Sequence, residues 1–147
     1  MTHEFAYPVT LTPDETDCGF VVTFPDVPEA ITQGNDVPDA LLQAADALEE
    51  AIAGRIRRGD FIPEPSKAEQ DHPLVLVPPL TAAKAALYLA LREAGISKSE
   101  LAERLGCDEK EVRRLLDPKH LSKLPRIQKA LAALGKSIAV RLIDQAA

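Results

Sequence analysis

Residues 98–117, KSELAERLGCDEKEVRRLLD, constrain this chain more tightly than any other stretch. Two runs carry apolar residues at helical spacing, Leu101 and Leu105 in the first and Val112 and Leu115 in the second. Together they can form a buried wedge between two short helices. Ala102 is small, which lets the second helix pass close above the first. Gly106 falls at the turn, where a positive φ is needed without steric cost. Helices crossing steeply in this way leave the second free to enter a groove of duplex DNA.

The opening of the second helix is acidic, which at first sight conflicts with a phosphate surface. Capping resolves most of the conflict. Ser97-Lys98-Ser99-Glu100 fits the S-x-x-E capping box, and Asp108-Glu109-Lys110-Glu111 repeats it with aspartate as cap. Asp108 and Glu111 are then expected to satisfy orphan N–H groups at the positive end of a helix. Glu109 has two open readings, acceptance from a cytosine amine or plain solvation. With Val112 and Leu115 inward, Lys110, Arg113 and Arg114 face outward, and arginine suits bidentate contact with guanine. Lys98 and Ser99 at the start of the first helix are candidate contacts. So are Lys119, His120 and Lys123 in the loop beyond the second. The segment resembles the lambda-repressor-like helix-turn-helix family, set in a bundle of at least four helices.

The rest of residues 79–147 is expected to be helical up to a tail. Thr81 is placed as the cap of AAKAALYLALREAG, Pro125 in the first turn of RIQKALAALG, and Gly95 and Gly135 at helix ends. The tail SIAVRLI, 137–143, has Ile138, Val140 and Leu142 at period two, a strand pattern. Such a strand needs an edge. Either its own symmetry mate or its own bundle would supply one.

Residues 1–78 read differently. FAYPVTLT places Phe5, Tyr7, Val9 and Leu11 on one face at period two, with Pro8 pointing to an edge or a bulge. PDETDCG is a turn, FVVTF a return strand and AITQG a short third strand. A helix follows, capped by Asp36 or Asn35 with Pro38 in its first turn. Its predicted buried stripe is Leu41, Ala45, Leu48, Ile52 and Ile56, and Gly59 closes it. Residues 60–73 read as a loop or tether, and LVLV (74–77) as a buried strand joining the first sheet. The expected fold class is therefore α+β. A β-β-β-α-β module, 1–78, precedes an all-α helix-turn-helix bundle with a short terminal strand, 79–147.

Charge divides along the same line. Residues 1–78 hold 15 Asp and Glu against 4 Lys and Arg, or −11. Residues 79–147 hold 8 against 13, or +5, and the two together give the net −6 of the chain. Such a split suggests two modules with different partners. The acidic one suits a basic protein, and the basic one suits DNA. An enzyme is not expected. His3 and His72 fall in a terminus and a loop, where exposure is expected, and His120 has no neighbouring nucleophile. The predicted strands carry no carboxylates for a nuclease metal. No cofactor and no metal site are implied. Cys18 and Cys107 lack zinc-ligand spacing and read as free thiols. With no signal-peptide pattern and no membrane-length apolar run, a cytoplasmic protein is expected.

FPDVPEAITQGNDVPDALLQAADALEEAI, 24–52, resembles the hallmark of HicB antitoxins through Phe24, Pro25, Asp26, Pro28, Thr32, Gly34 and Ala40. Glu29 stands where that family usually has glycine, and Asp39 where glutamate is common. Helical segments from Leu80 onward are similar to the family's helix-turn-helix branch. The shared motif reads as structural: turn prolines, a glycine at positive φ and a capped helix. The resemblance implies a partial ribonuclease-H-like fold without catalytic residues in the first module. It also implies a HicA-type toxin partner, small, basic and mRNA-cleaving, together with operator DNA bound by a homo-oligomer, a dimer or higher. The alternative is a stand-alone repressor whose first module senses a ligand or another protein.

Overall fold

A computed structural model describes residues 2–67 and 72–144. The chain is mixed α+β. In order it forms strands β1 (Ala6–Pro8), β2 (Thr10–Pro13), β3 (Phe20–Thr23) and β4 (Ile31–Gly34), then helix α1 (Val37–Arg58) and strand β5 (Leu74–Leu76). Helices α2 (Pro79–Ala94), α3 (Lys98–Leu105), α4 (Glu109–Leu116) and α5 (Leu124–Ala133) follow. Described residues up to Arg55 and from Phe61 to Pro78 form one compact unit; 56–60 and those from Pro79 onward form another.

In the first unit the expected opening strand is two strands. β1 pairs antiparallel with β5, Tyr7 opposite Val75, while β2 pairs antiparallel with β3, Leu11 opposite Val22. The break falls at Val9: its N–H still donates to Pro73 O at 3.0 Å, in line with the β1–β5 register, and pairing with β3 starts at Thr10. Pro8, which has no N–H to offer, ends β1 just before the break. β3 also pairs with β4, giving the order β2-β3-β4. β5 is only half buried: Val75 and Val77 point inward, while Leu74 and Leu76 are exposed. Its apolar run therefore alternates faces, as a strand with one covered side must.

α1 starts as its sequence demands. Asp36 Oδ1 accepts from Asp39 N–H at 2.8 Å, and Asp39 Oδ2 accepts from Asn35 N–H at 2.9 Å. Aspartate in place of the usual glutamate still reaches back, to the N–H one residue before the cap and not to that of the cap itself. The buried stripe is Ala40, Ala44, Leu48 and Ile52, all at 0% exposure. It begins one residue earlier than the spacing suggests, because β4 presses on the helix at Ala40. Gly34 is not a positive-φ residue. It is glycine because a Cβ there would lie 2.4 Å from Ala40 Cα.

The rest of the motif holds turns and loops in place. Phe24 and Val27 are buried. Asp26 accepts from Ser66 N–H at 2.8 Å and from the Ser66 hydroxyl. Glu29 takes the guanidinium of Arg55 on α1 through Nε and Nη2, the latter at 2.8 Å. The described part of the expected tether is thus pinned. Ser66 binds Asp26, Ile62 is buried, and Tyr7 Oη donates to Pro63 O at 2.7 Å. Residues 68–71 of that tether lie outside the described residues. His3 is not exposed as expected; it is half-buried with its ring 4.5 Å from that of Phe5, and burial lowers its pKa.

In the second unit α2 begins at Pro79, which suits a first helical position, so Thr81 lies inside the helix and is not its cap. α2 packs on α4 and α5, and α3 packs on α4 and α5. The core is Leu87, Leu101, Ala102, Val112, Leu115, Leu116, Ile127, Ala130 and Leu131. Three of the four expected wedge residues are there; Leu105 is only half-buried. Residues 137–143 do not form the expected terminal strand within the chain. No described strand is paired with that segment, and a strand exists only by pairing.

Candidate nucleic-acid interface

α3 and α4 are joined by Gly106, Cys107 and Asp108. Gly106 has φ 69°, the left-handed conformation expected of it, and Cys107 N–H closes back on Ala102 O at 3.0 Å. Each helix is capped as its sequence predicts. Ser97 Oγ accepts from Glu100 N–H, and Asp108 Oδ1 accepts from Glu111 N–H, both at 3.0 Å. The return half of each box goes elsewhere. Glu100 pairs with Arg104 at 3.2 Å, and Glu111 pairs with Arg114 at 3.5 Å and also with Arg126 of α5. Arginine is a stronger partner for a carboxylate than a single backbone N–H, so both acids turn away from their own caps.

Val112, Leu115 and Leu116 are buried, and Lys110, Arg113 and Arg114 are exposed on the opposite side of α4. Lys98 and Ser99 are exposed at the start of α3. Glu109, its side chain 40% exposed, is also bound within the protein. Its carboxylate accepts from Ser99 Oγ at 3.0 Å and from Arg113 Nη2 at 2.9 Å. The Ser99 hydroxyl and then Arg113 hold its pKa below the ordinary glutamate value. Glu109 thus clasps α3 to α4 and orients the Arg113 guanidinium, which stays 62% exposed.

The loop after α4 is also built rather than loose. Lys119 N–H donates to Asp117 Oδ1 at 2.9 Å, His120 N–H donates to Asp117 O at 3.1 Å, and His120 Nδ1 lies 3.2 Å from Ser122 Oγ. Lys123 is exposed at the start of α5. The structure brings Ser99, Glu109 and Arg113 together in one cluster and His120 together with Ser122.

One buried charged residue beneath this surface escapes the sequence reading. Lys84 of α2 is fully buried, and its ammonium donates to Arg114 O at 2.9 Å and to Ser122 Oγ at 2.8 Å. It ties the last turn of α4 to the cation-bearing loop. Burial lowers its pKa and the charge of Asp117 opposes that shift. The overlooked signal was its place in register with Leu87 and Leu91 on the apolar stripe of α2. Lys84→Met keeps the stem and removes the ammonium. Because a charged donor is lost from two hydrogen bonds, stability should fall by about 1.5–3 kcal/mol. Hydrogen exchange at the His120 amide should also rise severalfold; unchanged exchange would sink the anchoring role.

Among the described residues no group of three or more His, Cys, Asp or Glu could hold a metal ion. Cys18 and Cys107 are free thiols. No helix of the described residues is long and apolar enough to cross a membrane.

Comparison with known proteins shows what a strand-rich unit built on the FPD motif and followed by four helices is similar to. A family model for HicB-like antitoxins of bacterial toxin–antitoxin systems matches residues 6–86. Antitoxin HicB of Escherichia coli is 37% identical over 137 residues, 93% of this chain and 99% of that protein. Antitoxin HicB 1 of Photorhabdus laumondii is 37% identical over 136 residues, 92% of this chain and 86% of that protein. Antitoxin HicB of Pseudomonas fluorescens is 40% identical over 114 residues, 77% and 78% of the two chains. This chain belongs to the HicB-like antitoxin family and is an antitoxin of a toxin–antitoxin system.

Proposed function

We propose that the chain neutralises a HicA-type, mRNA-cleaving toxin and represses its own operon by binding operator DNA through α3 and α4, a helix-turn-helix pair. The observation that carries the DNA half is the arrangement of α4. Its apolar side is buried, and Lys110, Arg113 and Arg114 stand outward on the other. Arg113 is the base-reading residue, pre-oriented by Glu109. Lys98 and Ser99 at the start of α3, and Lys119, His120 and Lys123 in the next loop, meet phosphates on either side of the groove. Residues 1–78 carry the toxin half, since their net −11 complements a basic partner.

Arg113→Ala is expected to weaken binding to the chain's own promoter DNA by about 1–3 kcal/mol. Its thermal stability should not change, because the side chain is exposed. Binding that is unchanged at matched salt removes Arg113 from the interface. For the toxin half, the neighbouring small open reading frame is expressed with and without this chain. Growth arrest relieved by co-expression is the expected result, and arrest that persists overturns the toxin pairing.

A further inference from the structure

Ser122 has one hydroxyl proton and two acceptors within reach of it. Its Oγ lies 3.3 Å from Arg114 O and 3.2 Å from His120 Nδ1. The lengths do not decide between them; the lone pairs do. A carbonyl oxygen has two. Arg114 O already accepts from the Lys84 ammonium at 2.9 Å and from Asp117 N–H at 3.2 Å. Pro118, four residues beyond Arg114, has no N–H for the usual helical bond, which leaves that place to Lys84. Both lone pairs are therefore filled by nearer donors. The Lys84 ammonium also donates to Ser122 Oγ at 2.8 Å and cannot accept in return. His120 Nδ1 is the acceptor that remains.

This fixes the tautomer of His120. A ring nitrogen that accepts carries no proton, so the neutral ring holds its proton on Nε2. A hydroxyl that accepts from a cation is itself a stronger donor, so Lys84 tightens the hold of Ser122 on Nδ1. The backbone is tied as well. His120 N–H donates to Asp117 O at 3.1 Å, and Asp117 Oδ1 accepts from Lys119 N–H at 2.9 Å. The imidazole is exposed, and Nε2 is the nitrogen outside this network. It offers a neutral N–H, which suits an anionic oxygen. Lys119 and Lys123, both exposed, precede and follow it in the same loop. Among those cations the oxygen it fits is that of a phosphate.

We infer that Lys84 and Ser122 are positioning residues that hold His120 in its Nε2–H form, and that this N–H donates to a backbone phosphate of the bound DNA. The role rests on the operator reading for its ligand. It sets His120 apart from the lysines of the loop. A lysine that meets a phosphate displaces a counterion, whereas a neutral imidazole brings a hydrogen bond alone.

The test uses the full chain. Proton–nitrogen NMR spectra at about pH 8, above the usual imidazole range, read the tautomer directly. Wild type should show a protonated Nε2 and a bare Nδ1, and Ser122→Ala should turn this single form into a mixture. A proton on Nδ1 in wild type, or an unchanged ring in Ser122→Ala, overturns the inference. In promoter-DNA titrations at the same pH, His120→Ala should weaken binding about tenfold. The slope of log affinity against log salt should stay as in wild type, whereas Lys123→Ala should flatten it by about one. His120→Gln, whose amide N–H reaches the place of Nε2–H, should restore most of the loss. Ser122→Ala should approach the loss of His120→Ala. Lys84→Met lowers stability, so Ser122→Ala carries the test of the relay. Promoter binding untouched by His120→Ala, a slope flattened by it as by loss of a lysine, or a glutamine no better than alanine breaks the inference and leaves the operator reading standing. A wild type that ignores promoter DNA overturns the operator reading and the phosphate role with it, while the spectrum still decides the relay.

Discussion

Gly34→Ala should destabilise the first unit by about 3 kcal/mol, at the upper end of what overpacking costs. The added Cβ would sit 2.4 Å from both Ala40 Cα and Ala40 N, and 2.9 Å from Ala40 Cβ. Two of these atoms are backbone at the start of α1, so no side chain can rotate away. Relief requires β4 and α1 to separate, which opens the Ala40–Ala44–Leu48–Ile52 stripe. Gly106→Ala is the contrast. Nothing lies within 4 Å of a Cβ there, and the cost is only that of a left-handed conformation, about 1–2 kcal/mol. Urea unfolding followed by hydrogen exchange on the β2–β4 amides reads the first, and the same experiment on α3 reads the second. A Gly34→Ala protein as stable as wild type would show that strand and helix are not in close contact.

Leu101→Ala should cost about 3 kcal/mol in the helical unit, within the range for deleting a buried leucine. Leu101 has no exposed surface, and its helix packs on both α4 and α5. The vacated volume lies among α3, α4 and α5, of which α3 and α4 are fixed by the caps at Ser97 and Asp108 and α4 also by the Lys84 anchor. Little collapse into the cavity is therefore available. Thermal or urea unfolding of the α3 and α4 amides measures the change, and a loss below about 1 kcal/mol would mean that the wedge repacks. The comparison with Arg113→Ala is informative for function. Leu101→Ala should lower DNA binding by depleting folded protein, whereas Arg113→Ala should lower it with stability intact.

The Glu109 cluster shows why the site was only partly legible. Sequence spacing places Arg113 four residues after Glu109, which allows their ion pair. It does not show that Ser99, ten residues earlier on another helix, donates to the same carboxylate. Lys84 is a stronger case. A lysine in an alanine-rich helix reads as solvated until the fold places Arg114 O and Ser122 within reach, 30 and 38 residues away. In the acidic unit, Glu29 occupies a position where glycine is usual, yet it is held by Arg55, 26 residues on. Glu29 shows no positive φ. The turn therefore does not need the missing glycine.

The sequence by itself determined what depends on a few neighbouring residues: the α+β class, the caps at Ser97, Asp108 and Asp36, the left-handed turn at Gly106, and the buried side of α4. Caps, turns and helical stripes are decided within about one turn of chain, so local chemistry suffices. Only the tertiary structure decided the split of the first strand at Val9, the close approach that makes residue 34 a glycine, and the partners of Lys84, Glu29 and Glu109. Gly34 is a matter of space against Ala40, and the others turn on which distant group lies within reach of a donor or a carboxylate. That competition is settled by packing, where a charged or aligned partner wins over a nearer but weaker one.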